Sequence, residues 1–209
     1  VHGRRVLRRD RPDVKDWRVP IWRELYATGA MAIGSKGDFT YAAALMNAAP
    51  AAWPFDWSLH SGDFRDPAVY LRGAWAADPS LSLGASLSRG PYARQDADGI
   101  PSGRDAGDYP QTVAGMDLQF SEGDLSVFAE AIWTRIEAPG VDDLELATWY
   151  VEGKYKVLPG LFAAARVAQM VFGTIDSHQW DRNVSRAEFG GGYFFTQNLS
   201  AATMLAPLG

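Results

Sequence analysis

Apolar and polar residues alternate with a period of two over several stretches of this chain. Leu81, Leu83, Ala85 and Leu87 alternate with Ser82, Gly84, Ser86 and Ser88. Ala147, Trp149, Val151, Tyr155 and Val157 alternate with Thr148, Tyr150, Glu152, Lys154 and Lys156, and Ala187, Phe189, Tyr193 and Phe195 oppose Arg186, Glu188, Gly190 and Gly192. Successive side chains of a strand point to opposite faces, so each stretch predicts a β-strand with one apolar and one polar face. Leu125, Val127, Ala129, Ala131 and Trp133 face away from Ser126, Glu130 and Thr134 by the same rule, although Phe128 and Ile132 intrude on the polar side. Gln169 breaks the pattern too.

Turn residues divide the pattern into hairpins. Five short turns are marked, at Lys36-Gly37-Asp38, Asp78-Pro79-Ser80, Glu122-Gly123-Asp124, Leu158-Pro159-Gly160 and Thr196-Gln197-Asn198, and strand-like sequence flanks each. They recur roughly every forty residues, with longer polar connections between them at residues 49–66, 93–110, 138–143 and 174–184. Ten strands follow, with residues 17–22 as a partial eleventh. Alternating tight turns and long loops, joined by strands of about 9 to 11 residues, are the pattern of an all-β, antiparallel up-and-down transmembrane β-barrel. A soluble sandwich uses strands of about 5 to 6 residues. A propeller blade fits four short strands into a similar period, where this chain has two long ones. Alternation alone fits a soluble sheet as well as a membrane one. Aromatics toward the strand ends of the apolar face favour the membrane: Trp133, Trp149, Tyr155, Tyr193 and Phe195 are expected at the lipid interfaces.

Composition narrows the function classes. With 209 residues, 47% hydrophobic and a mean hydropathy of -0.18, the chain has no apolar run of the roughly 20 residues that a spanning helix needs. It has no cysteine, which removes disulfide frameworks, thiolate metal sites and thiol nucleophiles. A net charge of -5 argues against nucleic acid as a partner. Residues 1–24 form a basic segment (Arg4, Arg5, Arg8, Arg9, Arg11, Lys15, Arg18, Arg23) with no apolar stretch or cleavage site after it. The segment is not an intact signal peptide, so the chain is expected to be a mature form or a fragment, with the barrel over residues 25–209.

Catalytic and metal chemistry have weak support. His2, His60 and His178 are far apart in sequence, and the fragments His60-Ser61-Gly62-Asp63 and Asp176-Ser177-His178 with Asp181 suit ordinary loop polarity better than a triad or a two-ligand metal site. Asp96, Asp98, Asp105 and Asp108 with Gly99 lack the ligand spacing of a calcium hand. Gly190-Gly191-Gly192 lies inside a strand with no helix after it, which suits a bend or a close approach better than a phosphate cradle. No catalytic residue, metal or cofactor is expected. The presumed inner face carries both signs: Arg72, Lys154, Lys156, Arg166 and Arg186 against Asp117, Glu130, Glu152 and Glu188, with Gln119 and Tyr70 between them. These are the candidate pore-lining residues, since rings of charge set ion selectivity. Opposite charges on neighbouring strands commonly pair across a sheet, and each of these residues is more often such a structural partner than a solute ligand.

The run Trp149-Tyr150-Val151-Glu152-Gly153-Lys154-Tyr155-Lys156-Val157-Leu158-Pro159-Gly160-Leu161-Phe162 to Arg166, then Trp180-Asp181 and Arg186-Ala187-Glu188-Phe189-Gly190-Gly191-Gly192-Tyr193-Phe194-Phe195, resembles the closing hairpins of porin-like outer-membrane proteins akin to the phosphate-selective porin O and P family. Ala44-Leu45-Met46-Asn47-Ala48-Ala49-Pro50 and Ser88-Arg89-Gly90-Pro91-Tyr92 resemble the same group. The resemblance implies a bacterial outer-membrane channel for passive diffusion of small hydrophilic solutes or anions. Its expected partners are outer-membrane lipid and those solutes, and a homo-oligomer is compatible with it. It also implies more strands than ten and a final strand ending on an aromatic residue, where this chain ends Leu205-Ala206-Pro207-Leu208-Gly209. Phosphate selectivity implies a dense basic lining, and the near balance of charge here departs from that. Two alternatives stay open: a non-conducting structural or adhesive outer-membrane barrel filled by its own side chains, and a soluble β-sandwich that binds carbohydrate through loop aromatics such as Trp53, Trp57 and Trp180.

Overall fold

A computed structural model describes residues 27–52, 64–93, 99–196 and 199–205. The basic segment 1–24, the partial strand at residues 17–22, and Trp53, Trp57, His2, His60, Asp96 and Asp98 lie outside the described residues. The strands in chain order are β1 (Gly29–Lys36), β2 (Phe39–Met46), β3 (Ala68–Asp78), β4 (Leu81–Pro91), β5 (Pro110–Glu122), β6 (Leu125–Ile136), β7 (Leu144–Leu158), β8 (Leu161–Phe172), β9 (Thr174–Ile175), β10 (His178–Gln179), β11 (Val184–Thr196) and β12 (Leu199–Leu205). Ten of them form one sheet in the order β1-β2-β3-β4-β5-β6-β7-β8-β11-β12. Each strand pairs antiparallel with its neighbour, so the architecture is the all-β, up-and-down one that the alternation predicts. Strands β1 and β12 are the sheet's edges, and among the described residues no ladder joins them. The two-residue ladder of β9 and β10 lies within the connection from β8 to β11 and has no counterpart in the sequence pattern.

The turns explain the register. Gly37 and Gly123 both have φ +57 and sit first in two-residue connections, between the pairs Lys36↔Phe39 and Glu122↔Leu125. Glycine at that place is what a type II′ hairpin turn requires. Pro159 with Gly160 at φ +86 makes the type II pairing of a fixed proline and a left-handed glycine. Asp78 closes its own turn, its Oδ1 accepting from the Ser80 N–H at 2.7 Å and the Leu81 N–H at 3.0 Å. By the antiparallel ladders, the strand ends joined by the short turns β1–β2, β3–β4, β5–β6, β7–β8 and β11–β12 lie at one end of the sheet, and those that lead into the long connections lie at the other.

Packing is unlike that of a soluble domain. The fully buried side chains, among them Asn47, Ala48, Ala52, Ala68 and Gln111, gather at the long-connection end, whereas large apolar side chains along the strands stay bare: Met116 is 66% exposed, Phe189 57% and Trp75 50%. A β-sandwich packs a second sheet about 10 Å from the first over such a face. The described residues contain no second sheet apart from the small β9–β10 ladder, so their strands do not make the two packed sheets of a sandwich.

Candidate functional site: the polar face of the sheet

The ladders assign every strand residue to a face. Tyr70 and Arg72 on β3, Asp117 and Gln119 on β5, Glu130 on β6, Glu152, Lys154 and Lys156 on β7, Arg166 on β8, and Arg186 and Glu188 on β11 share one face by register. The opposite face carries Leu45, Leu71, Leu87, Met116, Leu118, Val127, Val151, Val167 and Phe189. Trp133, Trp149, Tyr155 and Tyr193 belong to this apolar face. Trp133 lies toward the long connections, Tyr155 and Tyr193 lie toward the short turns, and Trp149 stands further in, six residues into β7. Phe195 is in β11, and its side chain lies outside the described residues.

Charges on the polar face are largely joined in pairs. Arg72 donates to both carboxylate oxygens of Asp117, at 2.8 and 2.9 Å, across the intervening strand β4. The reach is possible because the polar face of β4 carries only Ser82, Gly84, Ser86, Ser88 and Gly90. A Cβ on Gly84 would stand 2.4 Å from an Asp117 carboxylate oxygen. Arg166 lies 3.6 Å from Glu152 and 3.9 Å over the Tyr150 ring. Arg186 pairs with Glu188, and Lys156 with Asp124 of the adjoining turn at 3.7 Å. Lys154 instead places its ammonium 4.1 Å from the Phe162 ring centre, with Phe194 beyond at 5.8 Å. Phe162 and Phe194 are on the polar face too, with ring centres 5.5 Å apart. Gly192 leaves room for them, since a Cβ there would meet the Phe162 ring at 2.7 Å.

Two long connections fold over the polar face at their end of the sheet. Residues 48–52 are held by three contacts: Tyr70 donates its hydroxyl to the Ala48 carbonyl at 2.7 Å, the Ala49 N–H bonds Pro91 O at 2.8 Å, and the Ala51 N–H bonds Gln111 Oε1 at 2.8 Å. Trp180, from the connection after β8, packs edge-on against Phe172 with ring centres 4.8 Å apart, and its Nε1 donates to the Glu145 carbonyl at 3.0 Å. Trp180 is therefore partly packed, next to the Leu146 and Phe172 cluster. His178 is exposed, its Nδ1 2.8 Å from the Asp176 carbonyl, while Asp105 and Asp108 pair with Arg65 and Arg104 at 2.7 and 3.7 Å. The described carboxylates of the calcium candidate are thus taken up by arginines.

Sequence reasoning missed a charged row on the apolar face. Register aligns Arg89, Thr112, Arg135 and Glu145 across β4 to β7 at the long-connection end. Arg89 bonds Thr112 Oγ1 at 2.7 Å and Glu137 at 3.1 Å, and Arg135 donates its Nε to Asp143 at 2.8 Å. The row ends the run of apolar side chains on this face. Its signal was present in the sequence: Arg89 continues the Leu83, Ala85, Leu87 parity of β4.

A comparison of folds places this arrangement. A porin superimposes with a TM-score of 0.58 at 11% sequence identity, covering 92% of this chain and 59% of that chain. The fold is therefore of the porin-like β-barrel type, and the chain spans about three fifths of that porin's length. The toluene transporter TodX of Pseudomonas putida aligns more loosely, with a TM-score of 0.38 at 11% identity over 87% of this chain and 68% of its own. No protein-family model matches the sequence, and no curated protein does.

Proposed function

We propose that this chain forms wall of a bacterial outer-membrane channel through which small hydrophilic solutes diffuse, without cofactor or covalent step. The observation that carries this is the contrast between the two faces: a band of bare apolar side chains that suits lipid, and a charged face on the other side. Lipid tolerates an exposed sheet only when every backbone group is paired, as a barrel provides. In this reading the short turns are periplasmic, the long connections are outside, the interfacial aromatics meet headgroups, and homo-oligomers are compatible with the apolar band. Kinship with the phosphate-selective O and P group would call for a dense basic lining. The mixed lining supports a general channel instead, its selectivity set by the polar-face residues named above.

Residues 48–52 and Trp180 lie over the polar face, which supports a second reading as a non-conducting structural or adhesive barrel. Single-channel recording of the full-length protein in planar bilayers separates the two. Discrete current steps are expected; silence from correctly folded protein overturns the channel.

A further inference from the structure

We infer that Glu130 is the residue that sets ion preference on this face, favouring cationic over anionic solutes. The inference rests on the channel reading and goes further by naming the solute class. Register places Glu130 directly opposite Asp117 on one side and Tyr150 on the other. Two carboxylates directly opposite each other repel. The guanidinium of Arg72 lies within Coulombic reach of both, yet its two hydrogen bonds go to Asp117. One cation therefore faces two anions, and Glu130 has no hydrogen bond or ion pair of its own among the described residues.

Elsewhere on the face the signs cancel locally, in the pairs Arg166–Glu152, Arg186–Glu188 and Lys156–Asp124. Among the described residues of this face, Lys154 is the other charge without an ion-pair partner, and its ammonium lies against the Phe162 and Phe194 rings. The two unpaired charges stand at different heights. Glu130 is sixth of twelve residues in β6, at mid-strand, while Lys154 lies four residues beyond the Tyr150 level, roughly 13 Å nearer the short turns. A low-dielectric wall focuses the field most strongly at its middle, so a fixed charge there weighs more on a passing ion than one near the mouth. The mid-height excess is negative.

The test is the reversal potential of the full-length protein across a potassium chloride gradient. Wild type is expected to favour potassium. Glu130→Gln should lower the potassium-to-chloride permeability ratio by roughly twofold or more, Glu130→Asp should retain the preference, and Lys154→Gln should shift it the opposite way by less. If Glu130→Gln does not insert, Glu130→Ser carries the same expectation. A wild-type preference for chloride, or a reversal potential unchanged when the Glu130 carboxylate is removed, overturns the inference and leaves the channel standing. Silence in the wild type overturns both.

Discussion

Arg72 on β3 grips Asp117 on β5 over the whole width of β4, in space that Gly84 leaves open. The two side chains belong to strands that do not touch, so the bond ties three strands together on the polar face. The two-pronged geometry suits a guanidinium and a carboxylate. Both side chains are partly exposed, at 48% and 36%, which limits the pair to about 1 kcal/mol.

Gly84→Ala is expected to displace the Asp117 carboxylate and cost about 1 kcal/mol, because the added Cβ would fall 2.4 Å from it. The cost should disappear in an Asp117→Ser background. Urea unfolding in detergent, followed by tryptophan fluorescence, reads the double-mutant cycle, and equal costs in both backgrounds would show that the glycine serves something else.

Face assignment gives a sharper contrast. Met116 and Gln119 are three residues apart on β5 and point to opposite faces. Arginine at Met116 should destabilise the protein in bilayers by about 2–4 kcal/mol, as a charge set into hydrocarbon does. Arginine at Gln119 should cost about 0.5 kcal/mol or less. Equal costs would mean that the apolar face does not meet lipid.

The backbone makes another distinction. Gly160 has φ +86, and a Cβ there would come 2.9 Å from the Phe194 carbonyl; Gly153 has nothing within 4 Å of an added Cβ. Gly160→Ala is therefore expected to lose roughly 1–2 kcal/mol, and Gly153→Ala to be neutral or slightly stabilising. Thermal midpoints of the two variants check this, and a loss at Gly153 that matched Gly160 would contradict the turn geometry.

Those contrasts also show what the sequence could reveal. The Leu81 to Ser88 alternation located β4 and its faces because a strand has a period of two and nothing else in that segment competes with it. Phe128 and Ile132 looked like faults in the same code. The structure gives Phe128 the parity of Glu152 and Lys154, level with Glu152 and Arg166, and sets Ile132 level with Met170 and Val184. Apolar residues thus belong to parts of the polar face, and a two-letter pattern has no term for that. Arg72 and Asp117 were legible as polar-face residues but not as partners, since their meeting depends on what β4 lacks between them. The fold of residues 48–52 was not legible at all: alanines carry no directional pattern, and their position comes from Tyr70, Pro91 and Gln111, at least 18 residues away in sequence.

Gln111 is the anchor of that segment and carries the last prediction. Its side chain is fully buried, its Oε1 accepts from the Ala51 N–H at 2.8 Å, and its Nε2 has no partner among the described residues. Replacing it with leucine removes the unpartnered donor but strands the Ala51 N–H, whereas glutamate keeps the acceptor at the cost of a buried charge. Because an unsatisfied buried amide costs about 1–3 kcal/mol, Gln111→Leu should release residues 48–52 rather than unfold the sheet, whose own ladders do not involve that side chain. Hydrogen exchange by mass spectrometry is the direct readout: protection should fall over residues 48–52 and hold over β4 and β5. Loss of protection spreading through both strands would make Gln111 a determinant of the sheet, and unchanged protection would mean that Tyr70 and Pro91 hold the segment without it.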